Sequence, residues 1–256
     1  MAKIISIANQ KGGVGKTTTA VNLSGVLAYL GRKVLLIDMD PQGNASRSVG
    51  IDAADVNESL YHVLTGQAQI ENVIRPTSLR NMFVLPASME LAGADLEIAS
   101  SFSDKQYRLK RQLDRVSANY DYVIIDCPPS LGLLNVNALV ASSSVLIPLQ
   151  CEYYAMEGLA QLLSTIRKIK QTMNSDIEIE GVLLTMADFR TKFANEVASE
   201  IRKFFKEKVY ETSIPRQVKL AEAPSKGKTI VEYSVNSKGG VAYIDLAREV
   251  ILRGKK

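Results

Sequence analysis

The chain of 256 residues is 46% hydrophobic and 23% charged, which suits one domain with a large core, and we predict a single domain over residues 1–256. No apolar run is long enough to span a membrane, the first residues lack the form of a signal peptide, and two cysteines argue against a disulfide framework, so we expect a cytoplasmic protein. The net charge is +4, but 15 Lys and Arg stand against 9 Asp and Glu from residue 187 onward, which favours either a polyanionic partner or a well-solvated surface.

Short apolar and β-branched runs alternate with helical patterns along the chain. The runs predict strands at residues 4–8, 34–38, 82–86, 122–126, 144–149, 181–186 and 208–212. Apolar residues that recur every three or four positions predict helices at residues 17–30, 104–117, 155–173 and 195–205. In the third of these helices the apolar stripe is Met156, Leu159, Leu163, Ile166 and Ile169. The alternation is typical of an α/β fold with a mostly parallel twisted sheet and helices on both faces, in which ligands bind beyond the carboxyl ends of the strands.

A glycine-rich loop, NQKGGVGKTT, joins the first predicted strand to the first predicted helix. Its glycines let the backbone bend sharply, so that backbone N–H groups and the helix N-terminus face a phosphate group. The loop differs from the common phosphate-binding pattern G-x-x-x-x-G-K-[ST], because Gln10 replaces the first glycine and Lys11 adds a second lysine. In this pattern Lys16 contacts the β- and γ-phosphates and Thr17 binds Mg²⁺. The predicted nucleotide-binding residues of the loop are Lys11, Gly12, Gly13, Val14, Gly15, Lys16, Thr17 and Thr18.

Three aspartates follow apolar strands and are candidates for the chemistry beside the phosphates. Asp38 and Asp40 end the second strand in DMDPQGN, where one carboxylate can hold a water of Mg²⁺ and the other can position or deprotonate an attacking water. The same residues also suit a turn and a helix cap. Asp126 ends the strand YVIID, which is the usual position of the acid near Mg²⁺ in phosphate-loop enzymes.

Taken together, these motifs resemble the ParA/Soj family of DNA-partitioning ATPases. The resemblance rests on KGGVGKT, the deviant form of the phosphate loop, and on DMDPQGN, DCPPSLG, CEYYAMEGL and IPRQVKLAEAPSKGK, and it runs nearly from end to end. It implies a homodimer with ATP between the two chains, in which Lys11 reaches the phosphates of the partner. It also implies a catalytic set of Lys11, Lys16 and Asp40, and a metal site of Thr17, Asp38 and Asp126.

The resemblance further implies contacts to the adenine, to DNA and to a second protein. Adenine contacts are expected near Met186 and around Pro215, and the chain has no N-K-x-D segment that would indicate guanine. Non-specific double-stranded DNA is expected to bind basic residues of ADFRTK and IPRQVKLAEAPSKGK, above all Arg190, Arg216 and Lys219. A ParB-like centromere-binding protein is the expected partner that stimulates hydrolysis, and the protein is expected to associate with the nucleoid.

Two related functions remain as alternatives. A MinD-like switch would bind a membrane through its C-terminal helix, whereas here that segment shows a core-facing stripe and only a short basic tip, so we expect no membrane binding. The predicted stripe is Val241, Ile244, Leu246, Ala247, Val250 and Ile251. A reductase-type ATPase would bridge an iron–sulfur cluster with two cysteines from each subunit, but Cys127 and Cys151 fit buried positions after strands better.

Overall fold

The structure is a computed structural model that describes residues 2–52, 56–130, 132–152 and 155–254, without the side chains of residues 155–158. Leu131 of the DCPPSLG motif, Tyr153 and Tyr154 of CEYYAMEGL, and the side chain of Met156 lie outside the described residues. The two lysines of the predicted basic tip, at positions 255 and 256, lie outside them as well.

Eight strands of the described chain form one sheet. They are β1 (Lys3–Ile7), β2 (Val34–Asp38), β3 (Arg75–Pro76), β4 (Met82–Leu85), β5 (Tyr122–Asp126), β6 (Ser144–Gln150), β7 (Glu178–Ala187) and β8 (Val209–Pro215). Their order across the sheet is β3-β4-β2-β5-β1-β6-β7-β8. All neighbours are parallel except β3, which is antiparallel to β4.

Helices cover both faces of this sheet. They are α1 (Lys16–Tyr29), α2 (Asn44–Ser48), α3 (Leu60–Thr65), α4 (Ile70–Val73), α5 (Leu91–Ser101), α6 (Arg108–Val116), α7 (Leu133–Ala141), α8 (Ala155–Thr172), α9 (Lys192–Phe205), α10 (Val218–Glu222), α11 (Ile230–Ser234) and α12 (Lys238–Arg253). Short 3₁₀ segments lie at Lys105–Tyr107, Ser117–Asn119, Lys206–Lys208 and Ala223–Lys226. Helices α3 to α9 pack with one face of the sheet, and α1, α2 and α10 to α12 pack with the other, so that two apolar clusters form the core.

The predicted parallel sheet with helices on both faces is confirmed. All seven predicted strands are present, and their ends move by a few residues at most, as β7 begins at Glu178 instead of residue 181. Strand β3 was missed because it contains only Arg75 and Pro76, too short for any alternation. The predicted helix at 104–117 is a 3₁₀ turn followed by α6, and the other three predicted helices are present nearly as expected.

The predicted core stripe of the C-terminal helix is partly wrong. The fully buried face of α12 consists of Tyr243, Leu246, Ala247 and Val250. These positions follow the spacing i, i+3, i+4, i+7, whereas Val241 lies two residues earlier on another side and is 48% exposed. Ile244 and Ile251 are partly buried at the edge of the same apolar cluster. Helix α12 therefore packs into the core, and no helix in the described ranges has the length and hydropathy needed to cross a membrane.

The register of the parallel strands brings the predicted catalytic segments to one edge of the sheet. Ile7 at the end of β1 pairs with Asp126 at the end of β5, and Asp38 at the end of β2 pairs with Asp126 from the other side. The glycine-rich loop follows β1 directly. Loop and carboxylates therefore meet at the carboxyl end of the sheet, where this fold class binds ligands.

Candidate nucleotide-binding site

The glycine-rich loop ends at the N-terminus of α1 with no side chain covering the helix end. Gly13 and Gly15 have φ values of 75° and 85°, a region that side chains with a Cβ disfavour. Gly15 is the N-cap residue of α1, it makes no side-chain cap, and no acidic residue lies in the first turn. Among the described residues no side chain accepts from the first N–H groups of α1. These groups add to the positive end of the helix dipole, which suits an anion.

Two buried side chains from outside the glycine run hold the loop in place. The Asn9 amide donates to the Pro148 carbonyl of β6 at 2.7 Å and accepts from the Lys11 N–H at 3.0 Å. The Thr185 hydroxyl of β7 donates to the Val14 carbonyl at 2.8 Å. Neither residue was predicted from the sequence, because each hydrogen bond joins the loop segment to a strand that is 139 or 171 residues away along the chain.

Lys16 is buried beneath the loop and its ammonium points back to it. Its Nζ donates to the Lys11 carbonyl at 3.1 Å. Burial lowers the pKa of Lys16, while the charges of Asp126 and Asp40 act in the opposite direction. A cation that lies against the loop and near these carboxylates is placed to neutralise phosphate oxygens.

Lys11, the second lysine of the loop, contacts an acid of its own chain. Its Nζ lies 2.5 Å from Oε2 of Glu152, which follows β6, and both side chains are partly exposed, at 37% and 47%. Glu152 belongs to the CEYYAMEGL motif, but no residue pattern in that motif indicated this pairing. The role of Lys11 across a dimer stays a prediction, and in the single chain the lysine is bound to Glu152.

Asp38 and Asp40 differ sharply in environment. The buried Asp38 carboxylate accepts from the N–H and the hydroxyl of Ser46, each at 2.7 Å, and from the Asp40 N–H at 3.2 Å. The partly buried Asp40 accepts from the Gln42 N–H at 3.0 Å, which is a turn contact. Burial raises the pKa of Asp38 to about 6, against the effect of the Ser46 hydrogen bonds. The turn contact considered from the sequence is thus present at Asp40, whereas Asp38 binds Ser46 within α2, whose N-cap residue is Gly43. A metal role of Asp38 stays a prediction.

The Asp126 carboxylate is fully buried beside Thr17. Among the described residues, neither of its two carboxylate oxygens finds a hydrogen-bond partner. Burial and the neighbouring charge of Asp38 raise the pKa of Asp126 well above its usual range, while the nearby Thr17 hydroxyl and the Lys16 charge act to lower it. The unpaired carboxylate oxygens of Asp126 and the hydroxyl of Thr17 are the kind of oxygen ligand that Mg²⁺ or its bound waters prefer.

Comparisons with known proteins agree with this geometry. Residues 2–179 match the family model of an AAA domain. The chain is 55% identical to the sporulation initiation inhibitor protein Soj of Bacillus subtilis, over 99% of this chain and 100% of that protein. It is 50% identical to the chromosome partitioning protein ParA of Myxococcus xanthus, over 99% of this chain and 89% of that protein.

The chain belongs to the ParA/Soj family.

A solved structure supports the fold of this family member. Cobyrinic acid a,c-diamide synthase from Mycobacterium smegmatis, crystallised with ADP and magnesium, superposes with a TM-score of 0.88 at 36% identity, over 100% of this chain and 96% of that chain. The identities to Soj and ParA confirm the predicted family resemblance, which covers almost the whole chain.

The residues expected to contact adenine in this family lie at the ends of two neighbouring strands. Met186 ends the regular part of β7 with a φ of 48°, and Ala187 pairs with Pro215 at the end of β8. A cleft of about 710 Å³ opens beside the phosphate loop on the flank of α1. Its lining includes Thr17, Thr18, Asn44, Arg47, Ser225 and Lys228. The contacts of Met186 and Pro215 with a base stay a prediction.

The basic residues expected to contact DNA lie in the segments that follow β7 and β8, with Arg190 and Arg216 in loops and Lys219 in α10. The Arg190 side chain is 89% exposed. It forms a bidentate ion pair with Asp188, in which Nε lies 2.7 Å from Oδ1 and Nη2 lies 2.5 Å from Oδ2. Lys219 lies 2.8 Å from Glu222. Arg216 is exposed and forms no ion pair within the described part of the chain, although its charge helps to lower the pKa of Asp188. The strand pairing brings these residues to one side of the molecule.

Proposed function

We propose that this ParA-type ATPase binds ATP with Mg²⁺, forms a homodimer around two nucleotides, grips DNA without sequence preference, and drives partitioning of a chromosome or plasmid. As a member of its family the chain is an ATPase. The observation that carries the proposal is the meeting of an uncapped glycine loop with the orphaned carboxylate of Asp126 at one edge of the sheet.

In this proposal each residue at this edge of the sheet has its own role in ATP hydrolysis. Lys16 and the loop N–H groups hold the phosphates, and Thr17 and Asp126 would hold Mg²⁺ or its waters, which neutralises charge on the phosphate oxygens. Asp40 positions a water and accepts its proton while the water oxygen bonds to the γ-phosphorus and the bond to the bridging oxygen breaks. The products are ADP and phosphate.

Lys11 links hydrolysis to assembly in this proposal. A triphosphate carries about four negative charges, more than one loop and one lysine neutralise. Lys11 of the second chain adds the missing cation, so that dimerisation requires the triphosphate. The release of the γ-phosphate removes the negative charge that Lys11 binds, and the dimer separates.

Dimerisation doubles the basic surface formed by Arg190, Arg216 and Lys219. Contacts from basic side chains to phosphates give binding that depends on salt and not on base sequence. DNA binding therefore follows the nucleotide state, and a ParB-like protein bound at centromere sites releases the ATPase from the nucleoid by stimulating hydrolysis.

The decisive experiment is co-sedimentation with non-specific duplex DNA in ATP, in ADP and without nucleotide, across a salt series. We expect retention only with ATP, and we expect it to weaken steeply as salt rises. A parallel series replaces the DNA with vesicles of anionic lipid. Equal DNA retention in all three nucleotide states would overturn the proposal, and ATP-dependent binding to vesicles in place of DNA would favour the MinD-like alternative.

A further inference from the structure

The phosphate loop is fixed by a hydroxyl from a strand that is not its neighbour. The Thr185 hydroxyl donates to the Val14 carbonyl at 2.8 Å, and the two residues are only 2% and 1% exposed. Thr185 lies on β7, which β6 separates from β1 in the sheet. Because both partners are shielded from water, loss of the hydroxyl leaves a buried carbonyl without its donor, which typically costs more than the net value of an exposed hydrogen bond.

This hydrogen bond determines the orientation of one peptide plane in the loop. The peptide between Val14 and Gly15 is planar and trans, so its C=O and its N–H point in opposite directions. When Thr185 holds the carbonyl, the N–H of Gly15 is directed away from Thr185. Gly15 has a φ of 85° and lacks the side-chain restraint that would otherwise fix this plane.

The backbone of β7 is irregular directly after Thr185, at the point where this strand faces the loop. The residue after it, Met186, has a φ of 48°, although it is not a glycine. The register between β7 and β8 shifts between Leu184 and Ala187. A Cβ added to Gly15 would lie 3.8 Å from the Thr185 Cγ2 methyl, so the threonine also packs directly against the loop. A positive φ at a residue other than glycine costs free energy, and it typically persists only where the surrounding structure enforces it.

We infer that Thr185 is a positioning residue of the phosphate loop, whose hydroxyl aims the Gly15 N–H at the nucleotide phosphates and thereby sets the affinity for both ATP and ADP. The inference rests on the proposed ATP site. It also connects the loop with the strand end that carries Met186, so that one residue joins the phosphate side of the site to its expected adenine side.

Substitutions at Thr185 separate this role from a simple contribution to stability. Thr185→Val keeps the shape and removes the hydroxyl, Thr185→Ala removes the hydroxyl without adding bulk, and Thr185→Ser keeps the hydroxyl. The control is Thr212→Val on β8, which removes a hydroxyl that donates to Glu249 Oε1 at 2.7 Å. The measurements are the melting temperature without nucleotide and the dissociation constants of fluorescently labelled ATP and ADP.

We expect Thr185→Val and Thr185→Ala to weaken both nucleotides by about tenfold, which corresponds to about 1.4 kcal/mol. Thr185→Ser should bind like the parent, and Thr212→Val should lower the melting temperature without weakening binding. The inference is overturned if both hydroxyl-free variants bind like the parent, or if Thr212→Val loses as much affinity as they do. If the parent chain itself binds neither nucleotide, the proposed function fails instead.

Discussion

Replacement of Glu152 by Gln should allow the protein to dimerise at lower ATP concentrations. In the single chain the ammonium of Lys11 lies 2.5 Å from the Glu152 carboxylate, and the same ammonium is expected to reach the phosphates of the second chain. We expect the two contacts to compete for the one ammonium. Gln keeps the size of the side chain and removes its charge, so that Lys11 is released without a new cavity.

The magnitude follows from the exposure of the pair. Because both side chains are more than one-third exposed, water and salt screen their attraction, and such pairs contribute about 0.2–1 kcal/mol. Formation of each dimer breaks two Lys11–Glu152 pairs, at a total cost of about 0.4–2 kcal/mol. Removal of this cost by Glu152→Gln predicts a dimer that is roughly 2- to 30-fold tighter.

The assay is light scattering or sedimentation of the dimer during an ATP titration, in an Asp40→Ala background that prevents hydrolysis. Glu200→Gln is the matched control, because it removes the partner of Lys203 from a similar exposed pair at 2.7 Å on α9. Lys11→Ala in the same background should not dimerise. If Glu152→Gln dimerises at the same ATP concentration as the parent or at a higher one, the contact with Glu152 does not restrain Lys11.

Four further predictions concern the acids and the basic surface. Asp40→Ala should retain ATP binding and accumulate dimer, and rapid phosphate release by this variant would remove Asp40 from its role. The raised pKa values of Asp38, to about 6, and of Asp126 mean that the nucleotide-free fold holds these protons more tightly than the unfolded chain. Its stability should therefore fall as the pH rises from about 4 to 6 and above. Asp126→Asn should raise the nucleotide-free melting temperature at pH 7.5 and weaken Mg²⁺-dependent ATP binding; an unchanged melting temperature would contradict the assigned burial cost. Arg190→Glu with Lys219→Glu should lower retention on DNA while basal hydrolysis persists, and unchanged retention would place the DNA surface elsewhere.

Local sequence patterns were sufficient to predict those parts of the candidate site that are contained in one short continuous segment. The strand YVIID predicted both the burial of its residues and the position of Asp126, because an apolar run that ends in an acid gives a strand and its functional end together. The glycine loop could be predicted equally well, because the spacing of its glycines and of Lys16 is typical of a loop that binds phosphate through its backbone N–H groups.

The parts that the sequence did not predict depend on contacts between distant segments. Thr185 and Glu152 stand 171 and 141 residues from their partners in the loop, and no period or spacing connects them. Ser46, whose hydroxyl and N–H both bind Asp38, lies in a helix of only five residues. Strand β3 is likewise defined by its pairing with β4 and by nothing in its own two residues.

The acids beside the basic surface have a consequence for how firmly one copy of the chain can hold a duplex. Asp188 and Glu222 already pair with Arg190 and Lys219, so on the proposed surface a DNA phosphate would have to displace a carboxylate and would gain only the difference between the two contacts. A single copy would therefore bind a duplex weakly. In the proposed dimer the small free-energy gains of the two copies would add, so that their equilibrium constants would multiply. Weak individual contacts would then give a large difference in DNA affinity between dimer and monomer.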